Sequence, residues 1–314
     1  MTHPNHPLIY ISGSLAYDRI MDFPGKFSDH ILPEKIHILN VSFAVNGLTE
    51  QFGGTAGNIA YSLSLLGVTP SILACAGKDF DRYKAWMEEN QIPTIGIRII
   101  PEEFTAGAYI TTDLSDNQIT GFNPGAMKHP CRYPVETSGD QKALGIISPG
   151  CLEDMISYSR EFKKNHIPYI CDPGQQIPVL TGDALTEIIT GSEILVSNDY
   201  ELEMIQKSTG VTRKDLLKKT RAIITTLGEE GSLVAERSCD TRIPAVPPDR
   251  VLDPTGAGDA YRSGLIKGLL MGKTLPDAAR VGATCASYAI AHHGTQEHRF
   301  TTSEFWKRHE ANFG

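Results

Sequence analysis

No apolar run in this 314-residue chain is long enough for a bilayer. The longest, around 281–291, is broken by Gly, Thr and Ser, whereas a spanning helix needs about 20 apolar residues. Positive charge is also short, since 29 Lys plus Arg stand against 37 Asp plus Glu, a formal charge of −8 without a basic run. Neither a nucleic-acid backbone nor an anionic membrane is therefore expected as the main partner. The six cysteines form no Cys-x-x-Cys pair, so disulfides and structural zinc are not expected. His292, His293 and His298 cluster, but no Cys or carboxylate stands at a ligand-like spacing beside them on a helix face. The first residues lack the basic start and apolar segment of a secretory signal, which leads to the expectation of a cytoplasmic protein. What remains is 40% hydrophobic and 21% charged, the composition of a globular chain with a sizeable core.

Short β-rich apolar runs at 9–11, 71–75, 144–147, 167–171, 193–196 and 222–226 alternate with amphipathic patterns at 55–66, 82–90, 153–164, 200–207 and 213–220. That alternation predicts a mostly parallel sheet with helices on both faces. Two stretches, 18–53 and 95–127, break it with strand-like pieces at 35–45, 106–112 and 118–122. They predict a small β appendage built from two excursions of a single domain spanning 1–314, the kind of excursion that forms a lid. Two helical patterns rich in Ala, Gly and Leu close the chain at 256–271 and 275–292.

The segment Asp253-Pro-Thr-Gly-Ala-Gly-Asp259 opens directly into the first of these patterns. A helix start offers unpaired N–H groups and partial positive charge, and glycines let an anion approach the backbone. A carboxylate in that turn would repel a phosphate, but it makes sense as the acceptor of a proton from an attacking hydroxyl. An anion cradle with a base suggests phosphoryl transfer; the plain alternative is a capping acid after a tight turn. The segment is neither a dinucleotide fingerprint, since Tyr261 stands where a third glycine belongs, nor a Walker loop. A second cluster, Gly53-Gly-Thr-Ala-Gly-Asn58, also precedes a helical pattern and could hold a polyol or an anion, or be a turn without a ligand.

Together the two segments resemble the paired signatures of the ribokinase family of sugar and nucleoside kinases, with Gly67 and Gly77 at the family spacing. Asn198-Asp-Tyr-Glu201 and Thr226-Leu-Gly-Glu-Glu-Gly231 are similar to its Asn-x-x-Glu element and nucleotide-side loop. The resemblance implies a three-layer α/β/α sandwich with a mostly parallel sheet and a small β-sheet lid. It also implies ATP with Mg²⁺ as cofactors. By the same resemblance Asp259 is the base, and Gly256, Ala257 and Gly258 form the anion hole. Asn198 and Glu201 organise the hydrated Mg²⁺, although by spacing alone they would simply cap a helix. Thr226, Gly228 and Gly231 lie on the nucleotide side, with 286–294 flanking the base. Asp18, Gly54 and Asn58 hold the acceptor's hydroxyls. Asp253 and Thr255 stand where many members bind K⁺.

The acceptor is narrowed by local detail. Phe122-Asn-Pro-Gly-Ala-Met127, the Asp172-Pro-Gly-Gln-Gln176 turn and Asp253-Pro-Thr255 resemble the nucleoside-kinase branch, including bacterial adenosine-kinase-like proteins, and place Phe122 and Gln175 at the acceptor. Phe43, Phe52, Phe104 and Tyr109 are further lid aromatics able to stack on a purine. The stretches 41–53 and 104–127 hold no Lys or Arg until Lys128, so an acceptor that brings its own phosphate is disfavoured. The expectation is transfer of the γ-phosphoryl group of ATP to the 5′-hydroxyl of a nucleoside, adenosine first. A free-sugar kinase of ribokinase or fructokinase type is the alternative, and a silent nucleoside or sugar sensor the third. A monomer and a homodimer are both open.

Overall fold

The computed structural model describes residues 7–31, 37–38, 40–115, 117–137 and 142–314. Its strands are β1 (Leu8–Ser12), β2 (Ala16–Asp22), β3 (Asn46–Gly53), β4 (Pro70–Gly77), β5 (Ile97–Ile100), β6 (Ala106–Thr112), β7 (Gln118–Asn123), β8 (Ala143–Ile147), β9 (Tyr169–Cys171), β10 (Ile194–Asn198), β11 (Ala222–Thr226), β12 (Ser232–Glu236) and β13 (Asp240–Ile243). Its helices are α1 (Thr55–Leu65), α2 (Asp81–Glu89), α3 (Leu152–Lys164), α4 (Gly182–Ile189), α5 (Asp199–Thr209), α6 (Arg213–Lys219), α7 (Ala257–Leu270), α8 (Leu275–Ala289) and α9 (Thr302–Phe313).

Nine strands form one sheet in the order β13-β12-β11-β10-β9-β8-β1-β4-β5, parallel except for β12. Successive strand residues face opposite sides, so the apolar runs serve two cores. Ile9, Ile11, Val196 and Ile224 pack with α1, α2, α7 and α8, while Tyr10, Leu195 and Ile223 pack with α3 to α6. The expected three layers are present, and a separate four-stranded sheet, β3-β2-β6-β7, draws on two stretches of chain.

Two expectations need correction. Ile97–Ile100 is not part of the second excursion: β5 pairs in parallel with β4 at the edge of the large sheet, as a strand reached through a crossover helix should. In the expected strand at 35–45, residues 35, 36 and 39 lie outside the described residues. The described residues 40–45 are not strand, and the pairing with β2 runs over Asn46–Gly53 instead.

Candidate active site

Helix α7 begins at Gly256, whose φ of +78° is a left-handed conformation that a side chain disfavours. The N–H groups of Gly258 and Asp259 find no acceptor among the described residues, so the first turn keeps donors for a ligand. Asp259, third residue of the helix, is partly buried and accepts a 2.8 Å hydrogen bond on Oδ2 from Nδ2 of Asn58 in α1. Burial pushes its carboxyl up to about 6, against the lowering effect of the Asn58 bond and the Arg262 charge. A carboxyl in that range is ionised at neutral pH yet basic enough to take a proton.

Asn58 is itself held, its Oδ1 accepting from Nε2 of Gln296 at 3.1 Å. The same Nε2 lies 2.5 Å from the hydroxyl of Tyr83, and Gln296 Oε1 accepts from the indole of Trp86 at 3.0 Å. Gly54, with φ +88°, turns the chain into α1, where a Cβ would meet the Ser14 carbonyl at 2.6 Å. Beside it, a Cβ on Gly53 would fall 2.5 Å from Oδ2 of Asp18, so the bare backbone seats that carboxylate. Burial first, then the charge of Asp253, raises the Asp18 pKa.

In the small sheet Asp18 is level with Ala108 and Ala108 with Phe122. Residues directly opposite across strands share a face, so Phe122 projects from the Asp18 side, and it is 53% exposed. The other aromatics divide. Tyr109 is level with Arg19 and so on the opposite face, Phe52 stacks on Trp86 at 5.4 Å, and Phe43 packs on Phe23 at 4.8 Å. Phe104 is exposed beneath the Lys78 ammonium. Gln175 is exposed after β9 and makes no side-chain hydrogen bond among the described residues, whereas its neighbour Gln176 bonds the Gly150 carbonyl at 2.9 Å.

On the far side of the α7 start lies a cavity of about 580 Å³. Thr226, Gly228 and Gly231 line it together with Ala257 and Gly258, and Ala286, Ser287 and Ile290 contribute one wall. The lining is mostly aliphatic and proline-rich, as suits a flat heterocycle. Asn198 and Glu201 do not line it. They form a reciprocal capping box at the start of α5, with bonds of 2.7 and 2.8 Å, which leaves one Glu201 carboxylate oxygen outside the box. Asp253 accepts from the backbone N–H of Thr255 at 2.9 Å and of Gly294 at 3.1 Å. Burial acts to raise its pKa, but the Thr255 side chain together with these backbone hydrogen bonds outweighs it and the net shift is downward.

Arg262 was not singled out in the sequence. One turn into α7 and 7% exposed, its guanidinium grips Asp172 through bonds of 2.6 and 2.9 Å. A bidentate pair between two buried charges ties the catalytic helix to the end of β9. Trp86, Tyr83 and Gln296 were likewise missed. The Gln lies in a loop more than 200 residues from Asn58, and only the close Tyr83-x-x-Trp86 spacing on α2 hinted that one face reaches inward.

Comparison with known proteins follows this geometry. The profile of the pfkB family of carbohydrate kinases matches residues 25–302. A nucleoside kinase of Methanocaldococcus jannaschii is 31% identical over 270 residues, 84% of this chain and 87% of that protein. The solved structure of Burkholderia thailandensis nucleoside kinase in complex with inosine superposes with a TM-score of 0.86 at 37% identity, covering 98% of both chains. Its complex with ADP-inosine gives 0.84 at 38% identity, covering 98% of this chain and 96% of that one. With helices on both faces of a mostly parallel sheet and a match over most of its length, the chain belongs to the pfkB family of carbohydrate kinases.

Proposed function

We propose that this protein transfers the γ-phosphoryl group of ATP to the 5′-hydroxyl of a purine nucleoside, with adenosine the first acceptor to test. The observation that carries this is the position of Asp259 at the seam of two environments. An apolar cavity opens onto Ala257 and Gly258 on one side, and Asn58 approaches from the other. Nucleoside kinases among the relatives, one described with inosine, support a nucleoside over a free sugar.

In this scheme the 5′-oxygen attacks the γ-phosphorus as its proton passes to an Asp259 carboxylate oxygen, and the bond from that phosphorus to the β–γ bridging oxygen breaks to release ADP. The backbone N–H groups of Gly256, Ala257 and Gly258 at the α7 start take the charge that develops on the phosphoryl oxygens, that of Gly258 being open and that of Ala257 turning from the Pro254 carbonyl, which it meets at 3.2 Å. Asp18, Gly54 and Asn58 hold the ribose, Phe122 and Gln175 flank the nucleobase, and the small sheet closes over them as a lid. Among the described residues no three His, Cys, Asp or Glu side chains gather to hold a metal. Mg²⁺ would come on the nucleotide phosphates, and the outer Glu201 oxygen and Asn198 would order its waters. There Mg²⁺ would neutralise phosphate charge. A K⁺ site at Asp253 and Thr255 rests on their position alone, since both Asp253 oxygens already accept backbone donors.

The neutral acceptor has its own support. The stretches 41–53 and 104–127 carry no Lys or Arg for an acceptor's own phosphate, and Arg262, which gives Nε and Nη2 to Asp172, keeps its Nη1 beside Gly258, where it serves the transferred phosphoryl group instead. ADP release with Mg²⁺ and ATP, measured against adenosine, inosine, guanosine, cytidine, ribose, fructose and fructose 6-phosphate with and without K⁺, tests the proposal. Turnover confined to nucleosides is the expected result. Turnover on free sugars alone would overturn it, and thermal stabilisation by nucleoside without turnover would make the protein a sensor.

A further inference from the structure

We infer that Trp86 is a positioning residue for catalysis. Acting through the side-chain amides of Gln296 and Asn58, its indole N–H decides which end of the Asn58 amide meets Asp259, and so keeps that carboxylate an acceptor of protons. The inference rests on Asp259 being the base.

The polarity of the chain follows from what each group is able to give. An indole N–H only donates, so Gln296 must turn Oε1 toward it, as it does at 3.0 Å. At the other end the Tyr83 hydroxyl donates its one proton to the Gly53 carbonyl at 2.8 Å, which leaves only lone pairs for Gln296 Nε2. Two independent ends therefore set the Gln296 amide the same way. The remaining Nε2 proton goes to Asn58 Oδ1 at 3.1 Å, and Asn58 has only its Nδ2 left for Asp259 at 2.8 Å. Reversing either amide would set acceptor against acceptor, and with Gln296 2%, Asn58 5% and Tyr83 0% exposed there is little room for water to repair it.

The donor end is held still. The indole lies between Phe52 at 5.4 Å and Tyr61 at 6.0 Å, both nearly parallel to it, with the Arg299 guanidinium 5.2 Å from the ring. Space for the relay is provided by Gly57, where a Cβ would collide with the Tyr83 hydroxyl and press on Gln296 Nε2. An Asn58 amide turned the other way would aim Oδ1 at the carboxylate, favour its protonated form and remove the base. The groups that otherwise influence Asp259 are Arg262 on its own helix, Asp172 after β9 and the Asn58 amide of α1. Asp18 on β2 faces the relay from the Tyr83 side, and Glu201 on α5 acts through Arg262. None of these charges changes when Trp86 is altered.

The test is the pH profile of nucleoside kcat/KM for Trp86→Phe, with Gln296→Met as a second variant and Asp259→Asn as reference. The expected result is an acid limb moved upward by about one pH unit, equal to a loss of about tenfold below the limb, with the alkaline plateau kept. Gln296→Met should move the limb in the same direction, which keeps the test open if one variant fails to fold. A uniform loss at all pH values with an unmoved limb would make Trp86 merely structural and overturn the inference. Full turnover by Asp259→Asn would instead overturn the assignment of the base, and the relay with it.

Discussion

Helices α1 and α7 both begin at a glycine of positive φ, Gly54 at +88° and Gly256 at +78°, and neither N-cap supplies a side-chain oxygen. At α1 the protein closes its first two donors: the N–H of Thr55 bonds Ser14 Oγ and that of Ala56 bonds the Ser14 carbonyl, both at 3.0 Å, while that of Gly57 finds no acceptor among the described residues. At α7 the N–H groups of Gly258 and Asp259 find no acceptor among the described residues. A glycine-rich turn into a helix is therefore not by itself an anion site; what matters is whether neighbouring chain has already used the donors. The α1 turn gives the site a seat for Asp18 and the amide of Asn58, and the α7 turn gives it open N–H groups and a carboxylate.

The contrast is broken most sharply at Asp259. Asp259→Asn should lower kcat by about 10²- to 10⁴-fold while nucleoside binding, followed by calorimetry, persists. Arg262→Met comes next, because it leaves the buried Asp172 carboxylate without a partner and should cost about 3–5 kcal/mol. Denaturant titration measures this, and a double variant with Asp172→Leu should recover most of the loss. The two cap glycines should then separate by readout. Gly54→Ala drives a Cβ onto the Ser14 carbonyl, the Ala16 nitrogen and Leu15, so Tm should fall. Gly256→Ala meets only the Thr295 side chain and backbone, at 3.0 to 3.3 Å. It should cost about 1–2 kcal/mol of backbone strain and appear chiefly as a higher KM for ATP. Equal effects of both alanines on KM would erase the distinction.

The smallest effect concerns pH. Burial raises the Asp259 carboxyl to about 6, so its favourable contribution to folding is complete below the ordinary carboxylate range and is lost as pH rises through 6. Asp259→Asn should therefore make the ligand-free protein more stable at pH 8, by on the order of 1 kcal/mol given its partial exposure. The gain should vanish near pH 4 in thermal melts. A variant that loses catalysis and gains stability is what a desolvated base predicts.

Much of this was legible in the sequence because it is local. Short continuous apolar runs and helical patterns disclosed the layers, and Asp253-Pro-Thr-Gly-Ala-Gly-Asp259 marked the α7 start. Strand boundaries at 35–53 were not legible, because pairing with β2 rather than intrinsic preference sets where β3 begins. Ile97–Ile100 looked like part of the excursion because it follows a turn and precedes other strands, and only its pairing with β4 reveals its sheet. The Trp86–Gln296–Asn58 relay and the Arg262–Asp172 pair join residues 90 to 238 positions apart. No local pattern encodes such partners; a glutamine in a polar loop carries no sign of being buried.

That loop has a consequence in the order of synthesis. The large sheet is complete once Ile243 has been made. Yet within a few residues Gly294 holds Asp253, Thr295 bonds the Phe52 carbonyl, Gln296 bonds Asn58, and His298 contacts Tyr61 and Ser62. Because domains build up from their N-terminal parts during translation, a growing chain would already own its sheet while its proposed base still lacked orientation. The site would be set only when residues 294–298 emerge, so a growing chain that stops short of them would be folded in outline and catalytically mute.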